Sequence, residues 1–135
     1  MEDRATCEVD FWFEWGGGCL WSGDDASRAA FGLGPYDLVE PCPLPLSLDV
    51  LGRCHRMAAW HDASLNWDYP PHPGPWRQPE CDRFNATAAG LLIDIRRELG
   101  PAFRVTDCRL LCAEDPELDA HLADPKGFRR GRRDA

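Results

Sequence analysis

Residues 7–15 alternate in polarity, with Cys7, Val9, Phe11, Phe13 and Trp15 on one side of an extended chain and Glu8, Asp10, Trp12 and Glu14 on the other. Successive side chains of a strand point to opposite faces, so this run predicts a half-buried strand. Gly16-Gly17-Gly18 then frees the backbone to turn, and Cys19-Leu20-Trp21 predicts a short second strand. Residues 22–46 contain Pro35, Pro41, Pro43 and Pro45, which break any helix and predict an irregular segment wrapping the domain.

The pattern changes period at Ser47, whose hydroxyl can cap a helix over about 48–64. At 100° per residue, Val50, Leu51, Cys54, Met57, Ala58, His61 and Leu65 form one stripe, with Arg53, Arg56 and Asp62 outside it. Residues 66–76, NWDYPPHPGPW, are too proline-rich for helix or central strand and predict an extended, stiff loop. A second helix is predicted over about 79–99. Pro79 suits its first turn, Phe84, Ala88, Leu91, Leu92, Ile95 and Leu99 recur at steps of three and four, and Gly100-Pro101 stops it. Alternation returns from Phe103 to Cys108 and predicts a strand continuing to Leu110 beside the first, followed by a short helix from Pro116 to Leu122 capped by Asp115. The order strand, helix, helix, strand makes the fold class α+β: a small sheet, with strands near 7–15 and 103–110, covered by two amphipathic helices.

Composition narrows this picture. A chain of 135 residues with 44% hydrophobic content and six Trp can build one core without staples. We therefore expect a single domain over 1–125 and a basic, disordered tail over 126–135. That tail holds Lys126, Arg129, Arg130, Arg132 and Arg133 against Asp134, so the body is more acidic than the formal net charge of −8. An acidic body repels phosphate backbones and argues against nucleic acid, while suiting a basic partner. No apolar run is long enough to span a bilayer and no export signal is evident, so the expected location is the cytoplasm, without membrane. Seven Cys without a C-x-x-C pair then read as buried thiols, not disulfides. The near absence of lysine and isoleucine suggests GC-rich coding and a bacterium.

Trp15 with Leu20-Trp21, Pro45-Leu46-Ser47-Leu48, Leu65-Asn66-Trp67-Asp68-Tyr69-Pro70-Pro71, and Glu98-Leu99-Gly100-Pro101 before Phe103 and Val105 resemble a group of small uncharacterised proteins frequent in high-GC bacterial genomes. The likeness covers about residues 9–107. It implies a bacterial cytosolic domain and carries over no catalytic residue.

Several residues have chemistry that packing alone does not demand. Cys54, His55, His61, Cys81, Cys108 and Cys112 are zinc-type ligands, but their spacing is poor, and buried structural thiols are the favoured reading. His61 and Asp62, with Asp68, His72 and Asp24 or Asp25, are the best acid–base set; adjacent helix positions point about 100° apart, however, so the pair does not face one substrate atom. The glycine run has no Gly-Lys-Ser/Thr after it and reads as a turn, not a phosphate cradle. Asn85-Ala86-Thr87 is a glycosylation sequon in pattern only, because it lies inside a predicted helix. No cofactor or metal is called for.

The loop aromatics point elsewhere. Trp15, Trp21, Trp67, Tyr69 and Trp76 flank loops, and Trp12 lies on the polar face of its strand; such side chains either seal a small core or anchor an interface. We expect a small protein-interaction domain of the immunity or antitoxin type, binding a basic, toxin-like partner protein. In this reading Trp12, Trp67, Tyr69 and Trp76 anchor, and Asp24, Asp25 and Asp68, with Glu8, Asp10 and Glu14, steer. The alternative is a small-ligand binder or hydrolase-like enzyme with a pocket between the Gly16–Gly18 turn and the Trp67–Trp76 loop.

Overall fold

The computed structural model describes residues 7–22 and 45–131. Three strands, β1 (Cys7–Phe11), β2 (Leu20–Ser22) and β3 (Phe103–Asp107), form one sheet in the order β2-β1-β3. β2 runs antiparallel to β1 and β3 runs parallel to it. Between them lie helices α1 (Leu48–Asp62) and α2 (Gln78–Leu99), and a short α3 (Leu118–Ala123) follows β3. The arrangement is α+β.

The register places Val9 beside Val105, and Phe11 beside Leu20, on the covered side of the sheet. These four are buried together with Val50, Cys54 and Met57 of α1 and with Phe84, Ala88, Leu91, Leu92, Ile95 and Leu99 of α2. Both helix stripes therefore close on the sheet. Phe13 lies edge-on to Phe11 (5.4 Å between centroids) and to Phe84 (5.0 Å), carrying the core past the end of β1. Cys19 and Cys54, both buried, share a side-chain hydrogen bond between the hairpin and α1.

Polar contacts fix the helix ends. Ser47 Oγ accepts from the Val50 N–H (3.2 Å), while the Ser47 N–H and hydroxyl donate to the Glu98 carboxylate (2.7 and 2.8 Å). One side chain near the end of α2 thus holds the start of α1. Arg96 donates through Nε and Nη2 to the Val105 carbonyl (3.1 and 2.8 Å), tying α2 to β3. Gly100, at φ +72°, ends α2 in a conformation that side chains with a Cβ resist.

Four sequence expectations change. The first strand pairs as a regular ladder only through Phe11, although the hairpin continues through Trp12 N–H to Cys19 O (3.1 Å) and Glu14 N–H to Gly18 O (3.2 Å). β3 stops at Asp107 instead of Leu110, because β1 ends at Phe11, whose carbonyl takes a further bond from the Cys108 N–H (3.0 Å). The proline-rich segment folds into turns instead of running extended: the Asn66 carboxamide accepts from the Asp68 and Tyr69 N–H groups (3.1 Å each) and donates to the Pro73 carbonyl (3.3 Å). Of the expected tail, residues 126–131 pack on the body, and 132–135 lie outside the described residues. Phe128 is buried, and Arg130 donates to Asp115 (2.7 and 3.0 Å), Glu117 (3.0 Å) and the Pro71 carbonyl (3.0 Å).

Two neighbouring positions on α2 should respond in opposite directions. Leu91 is fully buried, and Leu91→Ala should cost about 2–5 kcal/mol. A Cβ at Gly90 would meet nothing within 4 Å, so Gly90→Ala should stabilise by about 0.5–1 kcal/mol through helix propensity. Urea denaturation measures both, and destabilisation by Gly90→Ala would contradict the packing described.

Candidate functional site

The hairpin turn and the segment after α1 are fastened to each other. Trp15 Nε1–H donates to Ser64 Oγ (2.9 Å), the Gly16 N–H to Asp62 Oδ1 (2.8 Å), and Trp67 Nε1–H to the Asp62 carbonyl (2.6 Å). A Cβ at Gly16 would lie 4.0 Å from the Trp67 ring, so the two indoles flank one turn. Trp15 also stacks on His61 at 5.0 Å and 18°. With both indole N–H groups satisfied internally, their apolar faces remain at the surface: Trp15 is 44% exposed and Trp67 57%.

The segment following β3 is pinned with equal care. Asn85 of α2 both accepts from the Cys112 N–H and donates to the Cys112 carbonyl, each at 2.9 Å. Arg109 forks onto the Asp107 carboxylate (2.9 Å at both oxygens) and reaches the Asn85 carbonyl (3.3 Å). Glu114 Oε1 accepts from the Gln78 N–H (2.8 Å), while its own N–H donates to Gln78 Oε1 (3.0 Å). Glu114 thereby places a carboxylate at the N-terminus of α2, where the helix dipole favours negative charge. Between these clamps Leu110 and Leu111 stand 93% and 69% exposed.

The two fastened segments border a cleft of about 570 Å³. Trp15, Leu110, Leu111 and His72 line it, together with the deeper Phe13, Phe84 and Cys81. Tyr69, 54% exposed, packs edge-on against His72 at 4.5 Å and extends the apolar rim. Burial raises the Cys112 thiol to about 11, and it also raises Cys81 and Cys108, so the cleft presents protonated thiols instead of thiolate nucleophiles. Among the described residues no group of three His, Cys, Asp or Glu could hold a metal ion. Among the described members of the acid–base set, no hydrogen bond joins a histidine to a carboxylate, and Asp24 and Asp25 lie outside the described residues. Asp62 Oδ1 is occupied by the Gly16 N–H, and His61 is buried against Trp15, Phe13 and Phe84 with Nδ1 lacking a hydrogen-bond partner.

Residues 8–108 match the family model of Serratia CdiI immunity protein-like sequences, a span covering both strand pairs, both long helices and the turn-rich loop. The chain belongs to that family. Membership supports an immunity-protein-like role. No curated protein matches the chain. No described helix is long and apolar enough to cross a membrane.

For this immunity-like chain the expected contact residues divide. Trp67, Asp68 and Tyr69 are exposed on the Asn66-organised loop. Trp76 is buried against Trp60 (5.7 Å) and Phe84 (5.3 Å), so it serves the core and is not an exposed anchor. Trp12 is half-buried and stacked on Trp21 at 4.5 Å, its carbonyl accepting from the Trp21 indole (3.0 Å). Asp24 and Asp25 lie outside the described residues. Sequence reasoning passed over Leu110 and Leu111. The signal was an adjacent apolar pair that breaks the alternation of Phe103 to Cys108.

His61 should give the fold an acid-side signature. Burial holds its imidazole below the ordinary value of 6.5, against the opposing pull of Asp62 and Glu14, and His72 is lowered as well. The unfolded chain takes up these protons first, so stability is complete well above 6.5 and falls as pH drops through that value toward the lower folded ones. The melting temperature should decline between about pH 7.5 and 5.5, above the carboxylate range, and His61→Phe should shallow the decline. An equally steep profile in the variant would remove His61 from this account.

Proposed function

We propose that this chain is an immunity protein that binds a basic protein toxin directly and blocks it. Family membership across residues 8–108 carries the reading. The exposed aromatic and leucine rim supports it, since a monomer rarely leaves a large contiguous apolar patch uncovered without a binding role. The formal net charge of −8 supports a basic partner, because opposite charge speeds encounter and disfavours wrong partners. A small-ligand or hydrolase-like reading draws on the size of the cleft, whose thiols are protonated.

The test is co-expression with the toxic product of the adjoining reading frame. The chain should restore growth and co-purify with that product in a one-to-one complex. Association should slow at least several-fold between about 50 and 500 mM salt, as screening shortens the reach of the acidic surface. Growth arrest unrelieved by the chain, with no complex at low salt, would defeat the proposal.

A further inference from the structure

We infer, building on the immunity reading, that the toxin docks in the cleft beside Leu110 and Leu111, inserting an apolar side chain that is flanked by cationic residues. Three observations lead there. The first is the concentration of exposed apolar surface. Trp15, Leu110 and Leu111 line the cleft, Trp67 flanks the same turn as Trp15, and Tyr69 rests on the lining residue His72.

The second is rigidity. Leu110 and Leu111 sit between the Arg109–Asp107 fork and the two-way Asn85–Cys112 clamp, and Trp15 and Trp67 are each fixed by an indole hydrogen bond. Contact groups held in place before binding lose little freedom on docking, so more of their burial appears as affinity. Packing among the described residues does not account for a pinned loop that presents two leucines to water.

The third is charge. The cations lining the cleft are committed: Arg109 to Asp107, and Arg130 to Asp115 and Glu117. Glu14, which lines the cleft, and Asp68, beside Trp67, form no ion pair among the described residues. The charge left available beside Trp15 and Trp67 is negative, while Arg129 adds a cation near His72. That negative charge complements an apolar anchor set between arginines or lysines, and disfavours an acidic segment.

The probe is the toxin found by co-expression, purified in an inactivated form and titrated calorimetrically into the full chain. Leu110→Glu, Leu111→Glu and Trp67→Ala should each weaken binding at least about tenfold, and Asp68→Lys should chiefly slow association. Leu48→Glu and Ile93→Glu, at exposed apolar positions outside the cleft (86% and 56%), should stay within about twofold. Leu110 is nearly fully exposed, so its variant should fold normally by circular dichroism. Tight binding that ignores both leucine variants overturns this proposal while leaving the immunity reading intact. A free chain that sediments as a dimer and is dissociated by Leu110→Glu overturns it too, in favour of a second copy as occupant. No binding by the wild-type chain removes both readings.

Discussion

Burial of one face of α2 is the constraint on which the rest of the molecule depends. Phe84, Ala88, Leu91, Leu92, Ile95 and Leu99 share a core with Val9 and Phe11 of the central strand and with Val50, Cys54 and Met57 of α1. At roughly 1.5–3 kcal/mol per large buried side chain, this stripe is a principal favourable term in a domain of this size. The same helix carries polar groups that determine where neighbouring chain can lie. Glu98 holds the start of α1, Arg96 holds β3, and Asn85 and Gln78 hold the segment after it. Apolar burial fixes the position of α2, and α2 then acts as a ruler for the loops.

Side-chain clamps convert those loops into a site. A loop whose backbone is held at both ends by hydrogen bonds can display apolar groups that would otherwise collapse inward. Leu110 and Leu111 are displayed this way, as are Trp15 and Trp67, whose indole nitrogens are consumed by Ser64 and Asp62. Asp107 and the acidic pair Asp115 and Glu117 neutralise the arginines along the same cleft. The resulting chemistry is apolar and acidic, with protonated thiols, and it supports the proposed recognition of a basic protein.

The parts of this architecture that depend on local periodicity were legible in the sequence. Alternation from Cys7 and again from Phe103 marked β1 and β3, and the three-and-four spacing of Phe84 to Leu99 marked α2 almost to its ends. What periodicity could not convey was the outcome of long-range competition. Trp67 and Trp76 occur in one short loop with similar local chemistry, yet Trp76 meets Trp60 and Phe84 while Trp67 stays outside. Leu110, at the start of the apolar pair that breaks the alternation, has no strand left to pair with, since β1 ends at Phe11. Asn85 matches a sequon and instead clamps Cys112, a role set by a residue 27 positions away. Phe128, set among arginines, gave no periodic hint of burial. The exposed Trp67-Asp68-Tyr69 set was foreseeable from composition, whereas the leucine pair across the cleft was not.

Hydrogen exchange by mass spectrometry on the chain, free and bound to the proposed toxin partner, addresses the central claim that the pinned rim is the docking surface. The account predicts that amides over about 64–72 and 108–113 gain the strongest protection on binding, with those of α1 around Leu48 and of α2 around Ile93 unchanged. Protection confined to the surface bearing Leu48 and Ile93, with 108–113 exchanging as in the free chain, would contradict it.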